Sequence, residues 1–433
     1  MMRWYGFLSF LLLLAHCAAP GATTQEMVAA GPTPPRTVAP SSTTQDVNII
    51  QEPYLVPHDG KGDASTGINR ALADAQGTGH TVYLPCGTYR LIAEVLPKSN
   101  TALRGAGDCT ILMADPSLPI PRPIKVENQT QVSIYDLQVD CGDATIGGRQ
   151  GVALMNSTTY TTVERVHVQR CGQYGIAFGD NMKAPPYGSG GAGIVWRNNR
   201  VDMTGIPAGK CTRTIGMEYF PKGPAGYLAS PGPVIEGNVV IGVTADGGIK
   251  TNNSRGARIA DNTVSGVTCS TAAGAIIVVA AEDTVVERNA ISDTRLGISF
   301  GGSPRSNATG GNERRTGHLV IQGNTIRRYS VAGLFSSDGA NDVTIVGNTI
   351  ALDGGTGKRA IDMQPQPASK GGAHFTQIEI TKNVIQEGVG IDLREDREGT
   401  LGFRGVRIIG NTMQGVPAAG IKVQRAPDAV IMK

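Results

Sequence analysis

The sequence predicts an all-β fold, a parallel solenoid whose coils form three sheets, and three observations predict it. An octet with Asn at its sixth place recurs along the chain: "VTIVGNTI" (343–350), "LVIQGNTI" (319–326), "VRIIGNTM" (406–413), "ARIADNTV" (257–264), "TVVERNAI" (284–291) and "IEITKNVI" (378–385). Its Asn residues, joined by Asn199 and Asn238 in related segments, stand as little as 24 residues apart, and the longer gaps imply loop insertions. A period in the twenties with three short strands per turn marks a stack of coils that bury one another. Between these segments the chain holds short β-branched runs separated by Gly and Asn, with 58 Gly in 433 residues.

Taken in order, residues 1–21 read as an export signal, with Arg3 near the start, an apolar run from Phe7 to Leu14 and then "LAHCAAP". Leu14-Ala15-His16-Cys17 resembles a bacterial lipobox with His16 where that motif takes Gly, Ala or Ser. A lipid on Cys17 and ordinary cleavage a few residues later both remain open, and the lipid would be the sole membrane attachment. No later apolar run approaches the ~20 residues of a membrane span. Residues 22–46, with "GPTPPRTVAPSSTT", read as an extended linker, and residues 47–433 as one folded domain. An exported chain of this kind is secreted or held in the cell envelope.

One helix is expected at the start of the domain. "GDASTGINRALADAQG" places Ile68, Leu72 and Ala75 at helical spacing, with Ser65 or Thr66 as N-cap. Every later element is a strand. Within a coil, a Gly-Ile-type strand leads through a turn to the strand ending at the Asn, and a third strand follows. Stacked coils put each Asn above the last, where the amides bond one another and the turn backbone. With Cys17 set aside, Cys86, Cys109, Cys141, Cys171, Cys211 and Cys269 remain, an even number that suggests disulfides in an exported chain. Cys141 and Cys171 each follow the third strand of their coil within one residue of the same register, so they are expected to bond. Cys86 with Cys109 and Cys211 with Cys269 complete the set. After "GIKVQR" only "APDAVIMK" remains, so the far end is expected to lack a cap within this chain and to expose Ile421, Val423 and Ile431.

Two regions resemble the pectate lyase superfamily, in particular its rhamnogalacturonase/epimerase-like members. "HDGKGDASTGINRALADA" followed by "TVYLPCGTYRL" is similar to that family's opening segment, with Asp63, Tyr83, Pro85, Gly87 and Tyr89 at matching places. The repeats cover most of the remainder. Ala64 stands for a usual Gly, and "STGIN" lacks the usual Asp pair. The resemblance implies a right-handed single-stranded parallel β-helix with a short N-terminal capping helix, and a polysaccharide as substrate. The Asn-Thr-Asp, Asp-Asp and Arg-Ile-Lys signatures of polygalacturonases and the Asp-Pro-His of mannuronan epimerases are absent, so no catalytic role transfers.

Members of that superfamily bind glycan outside the first strand of each coil. Here those strands align as "PIKVEN", "GVALMN", "GIAFGD", "GMEYFP", "GIKTNN", "AIIVVA", "GISFGG", "GLFSSD", "AIDMQP", "GIDLRE" and "GIKVQR". Alternation turns their third and fifth residues outward, toward solvent. Asp362 and Asp392 then stand on successive coils beside Arg394. Such a pair suits acid and base work in glycoside hydrolysis, of either stereochemistry, or Ca²⁺ binding in a lyase. Glu218 and Lys250 form a second pair, with Phe220 and Asn252 in the fifth column; Lys250 is a candidate base for β-elimination, and a plain ion pair is the alternative. Phe335 and Gln364 are further candidates for substrate contact. Loops after "GMEYF", "GISFGG" and "AIDMQ" should wall the face, offering Tyr227, Arg305, Arg314, Arg315 and His374 to an anionic glycan.

The expected function is exported cleavage of glycosidic bonds, by hydrolysis or elimination, in a plausibly acidic polysaccharide. A non-catalytic glycan-binding or cell-surface structural solenoid is the alternative, supported by the bland outward residues Ala153, Ala177 and Ile277. A net charge of +3 with no basic stripe gives no footing for a nucleic-acid partner.

Overall fold

A computed structural model of the chain describes residues 46–179, 190–207, 214–222, 227–242, 247–269, 274–302, 316–337, 339–365, 374–399, 401–417 and 420–432. The expected signal, Cys17, Cys211, Arg305, Arg314 and Arg315 lie outside them. Neighbouring coils pair strand on strand in parallel, and the strands fall into three sheets. One coil shows the path. Gly274–Val279 lies in the first sheet and Glu282–Glu287 in the second, and Ala290–Gly301 begins in the third sheet and runs on into the first sheet of the next coil.

The bore is filled rung by rung. Val152, Ile176, Met217, Ile249, Ile276, Ile298, Leu334, Ile361 and Ile391 are Cα partners on successive coils and all are fully buried. Burying each of these side chains contributes about 1.5–3 kcal/mol, so the stack of coils carries its own hydrophobic core along its length.

At the corner between the second and third sheets runs the asparagine ladder. Asn199, Asn238, Asn262, Asn289, Asn324, Asn348, Asn383 and Asn411 form an unbroken series in which the Oδ1 of each accepts both the backbone N–H and the Nδ2–H of the one before it. Each Nδ2 also donates to a backbone carbonyl, as from Asn324 to Val286 at 2.9 Å. Towards the N-terminus the same column continues as Leu137 and Val166, and the ladder begins where Asn199 accepts from the Val166 N–H.

The residue before each ladder Asn is left-handed. Gly237, Gly323, Gly347 and Gly410 have φ between 60° and 66°, and Asn198, Asp261, Arg288 and Lys382 take the same region at 52–57°. The Gly of "GNTI" is thus explained, since a Cβ in this conformation meets the following carbonyl oxygen. Where the position is not Gly, Asp261 and Arg288 hold each other across the coils at 2.8 and 2.9 Å.

The capping helix, α1 (Ser65–Asp74), lies over the N-terminal end of the bore and buries Ile68, Ala71 and Leu72. Its cap differs from the expectation. Ser65 and Thr66 lie inside the helix, and the N-cap residue, Ala64, has no side-chain acceptor. Asp63 does the work instead. Its carboxylate accepts the N–H of Ser65 at 2.8 Å, the Ser65 hydroxyl, and the N–H and hydroxyl of Thr66 at 3.3 and 2.7 Å. Burial pushes the Asp63 carboxyl up, but these hydrogen bonds outweigh it and leave the pKa below the ordinary aspartate value.

Cys86–Cys109 and Cys141–Cys171 are bonded as expected, with Cα atoms 4.8 and 5.0 Å apart. Cys269 is disulfide-bonded too. Beside the second bridge, Arg149 is buried and donates to the carbonyls of Cys141 and Leu118 at 2.5 and 2.6 Å, so its charge is spent on pinning loop backbone. At the other end of the solenoid Ile431, expected to be exposed, is about half exposed, as are Val430 and Met432 beside it, whereas Ile421 and Val423, also expected to be exposed, are half-buried against the core.

Candidate functional site

The outward third column of the first sheet has the register that alternation implies. Lys125, Ala153, Ala177, Glu218, Lys250, Ile277, Ser299, Phe335, Asp362, Asp392 and Lys422 are Cα partners from coil to coil. Their exposure does not follow. Asp362, Asp392 and Glu218, expected in solvent, are 2%, 4% and 8% exposed. The reason is reach. Coils lie only ~4.8 Å apart, so a long basic side chain on one coil extends across the carboxylate of the next.

Around the Asp pair this produces a quartet of two carboxylates and two guanidinium groups. Arg394 donates to Asp362 Oδ1 through Nη2 at 2.6 Å and Nε at 3.2 Å. Arg359 donates through Nε to Asp392 Oδ2 at 2.5 Å and through Nη1 to Asp362 Oδ2 at 3.4 Å, and Arg394 Nε lies 3.6 Å from Asp392 Oδ2. Asp392 Oδ1 is buried and has no hydrogen-bond partner among the described residues. Both arginines keep an outer edge at the surface, with side chains 30% and 25% exposed. Phe335 precedes Asp362 in the column and is half-buried, while Gln364 donates to the Glu395 carbonyl at 3.0 Å and so helps hold the strand that carries Arg394.

The second constellation is separate. Lys250 Nζ donates to Glu218 Oε1 at 2.9 Å, and both Lys250 and Lys222 place Nζ 5.8 Å from the Phe220 ring centroid. Ile277, Ser299 and Phe335 intervene between Lys250 and Asp362, a distance of four rungs or ~19 Å. The two pairs therefore cannot act on one bond. Of the expected wall, Tyr227 donates its hydroxyl to the Gly190 carbonyl at 2.8 Å, and His374 Nδ1 accepts the Gly402 N–H at 3.0 Å.

Residues 54–119 match the family described as rhamnogalacturonase A/epimerase, pectate lyase-like, and residues 150–363 match the right-handed β-helix region. The chain is a right-handed parallel β-helix of the pectate lyase-like superfamily. Among solved structures it is similar to the tailspike protein gp208 of Dettilon (14% identity, TM-score 0.59, covering 89% of this chain and 68% of that one). It is also similar to the A-module of the mannuronan C-5 epimerase AlgE4 of Azotobacter vinelandii (16%, 0.57, 89% and 100%). A third likeness is to the DFA-IIIase of Arthrobacter chlorophenolicus A6 without its lid (12%, 0.57, 89% and 98%). No curated protein matches in sequence.

Within this pectate lyase-like β-helix the quartet differs from the Glu218–Lys250 pair in the donors it leaves over. Each guanidinium has one terminal nitrogen, Nη2 of Arg359 and Nη1 of Arg394, with no partner among the described residues, so each retains donors for an incoming carboxylate. Calcium does not fit here. Asp362 Oδ1 and Oδ2 and Asp392 Oδ2 already face guanidinium nitrogens, whose two positive charges occupy the place a cation would take. The alternation missed Arg359, which lies just before the aligned "AIDMQP" segment. Its signal in the sequence is a basic residue three positions ahead of Asp362, the spacing of the ion pair the two make.

Proposed function

We propose that this β-helix is an exported enzyme that cleaves glycosidic bonds in an acidic polysaccharide, with Asp362 and Asp392 at its centre. The observation that carries the reading is the buried, unpartnered Oδ1 of Asp392 beside two guanidinium groups with donors to spare. A uronate carboxylate matches those donors in geometry and charge. Asp392 protonates the glycosidic oxygen as its bond to the anomeric carbon breaks and takes a proton back from the water that adds to that carbon, while Asp362, held by Arg359 and Arg394, supplies the fixed negative charge that steadies the developing positive charge on the sugar. Two adjacent carboxyl groups are the apparatus of hydrolysis. Lys250, the base that elimination would call on, is engaged by Glu218 on the adjacent rung and stands four rungs from Asp362, so hydrolysis is the version the geometry favours. Superfamily membership and neighbours named as a mannuronan epimerase and a DFA-IIIase support carbohydrate as the ligand. The disulfides and the signal-like residues 1–21 support export, to the cell envelope or beyond it, with a lipid on Cys17 as one form of attachment.

A second reading, a glycan-binding solenoid without catalysis, is favoured by the charge balance of the quartet and by Ala153, Ala177 and Ile277, which give the outward column no chemistry. Product analysis on a panel of acidic polysaccharides separates the readings. New reducing ends without absorbance near the ultraviolet edge are expected. Reducing ends with that absorbance would mean elimination, and binding without products would mean the non-catalytic solenoid.

A further inference from the structure

The constellation around Phe220 is left without a role once chemistry is placed at Asp392, yet it is built as a binding site. Asn252 is 4% exposed, and its Nδ2 is buried with no hydrogen-bond partner among the described residues. Its place in the strand turns it outward, and Tyr219 pairs with Thr251, so one residue further along the same register Asn252 lies beside Phe220. A buried amide donor left unpaired is a cost the fold has no reason to carry unless an acceptor arrives from outside. The Phe220 ring is half-buried and flanked by the ammonium groups of Lys222 and Lys250, each 5.8 Å from its centroid. Glu218 Oε1 accepts one hydrogen bond from the Lys250 ammonium at 2.9 Å, which fixes it in place and leaves two N–H groups to donate. An apolar ring face ringed by two cations and an amide donor selects a ligand with a C–H face and oxygen acceptors of negative charge.

We infer that Phe220, Lys222, Lys250 and Asn252 form a remote subsite for one uronic-acid residue of the substrate, with the ring stacked on Phe220, the carboxylate between the lysines, and a hydroxyl or carboxylate oxygen accepting from Asn252 Nδ2. This rests on the proposed cleavage at Asp392. Because Asp392 lies five rungs, ~24 Å, from Lys250 and six rungs, ~29 Å, from Phe220 along the first sheet, the enzyme requires a chain long enough to occupy both places. Lys250 and Glu218, candidates for catalysis on sequence grounds, become binding residues.

The test is calorimetric titration of the full chain carrying Asp392→Asn, which prevents turnover, with oligogalacturonates and oligomannuronates from dimer to octamer. Affinity is expected to step up at the length that first spans the two constellations. Phe220→Ala and Asn252→Asp should each remove about tenfold in affinity for the longer oligomers and nothing for the dimer, whereas Phe220→Tyr, which keeps the ring, should retain the step. Unchanged long-oligomer affinity in both Phe220→Ala and Asn252→Asp, with the parent still binding, would overturn the subsite alone. If the parent binds no oligouronate of any length, the acidic-polysaccharide reading falls and the subsite with it.

Discussion

Two columns of side chains can be compared along this solenoid, one at the corner after the second sheet and one on the outside of the first. In the asparagine ladder the same amide recurs on eight coils, each donor and acceptor between the ends is matched, and the central members are fully buried. In the outward column the residue changes at nearly every coil, and where carboxylates and guanidinium groups do gather, at Asp362 and Asp392, an oxygen is left over and donors remain. A polar group repeated and fully satisfied has its energy invested in the fold. One that occurs once and is incompletely satisfied has capacity for a ligand, and the same contrast singles out Asn252.

The sharpest way to break this contrast is to remove the leftover group. Asp392→Asn should lower the rate on the cleaved polysaccharide by about 10²–10⁴-fold, the range for losing a positioned acid or base, and cost about 1–2 kcal/mol of stability in urea because Arg359 loses its nearest charged partner. Asp362→Asn should lower the rate and also cost about 2 kcal/mol of stability, since both arginines lose a charged partner and remain only partly solvated. Full activity in both variants would remove the quartet from the chemistry.

The ladder should respond in the opposite way. Asn324→Ala strips acceptors from Asn289 and a donor from Asn348 in a fully buried setting, for an expected loss of about 3–5 kcal/mol in chemical denaturation with activity kept in the molecules still folded. Asn411→Ala, at the partly exposed end, should cost about 1 kcal/mol. Equal losses at both positions would show that the rungs do not act through burial.

Smaller effects separate backbone from side chain. Gly347 has nothing within 4 Å of where a Cβ would stand, so Gly347→Ala isolates the penalty of its left-handed φ, about 1 kcal/mol. Lys382→Gly, at the equivalent turn, should be neutral or stabilising by up to about 0.5 kcal/mol, since relief of the same strain is offset by a more flexible unfolded chain. Smallest is the cap. The pKa of Asp63 is depressed in the folded state, so its contribution is present above the unfolded value of about 3.9 and is lost as pH falls below it through the folded value. Asp63→Asn should therefore be less stable than the parent near neutral pH and show a shallower loss on acidification, measured by denaturation across that range.

Much of this was legible in the residues. Periodic Asn marked the corner, alternation ordered the outward column coil by coil from Lys125 to Lys422, and the shared register of Cys141 and Cys171 anticipated their bridge. All three are consequences of a repeat, because once the coil length is known the chain's own numbering says which residues stack. Tertiary structure alone decided how those stacked residues meet. Parity says that Asp362 points away from the bore; it cannot say that Arg359 and Arg394 reach over from the same coil and the next to bury it, nor that Asp63 rather than Ser65 caps the helix. The physical division follows from range: backbone alternation and stacking are set by local geometry that the sequence pattern records, whereas the burial and pairing of a charged side chain depend on how far its neighbours on adjacent coils extend.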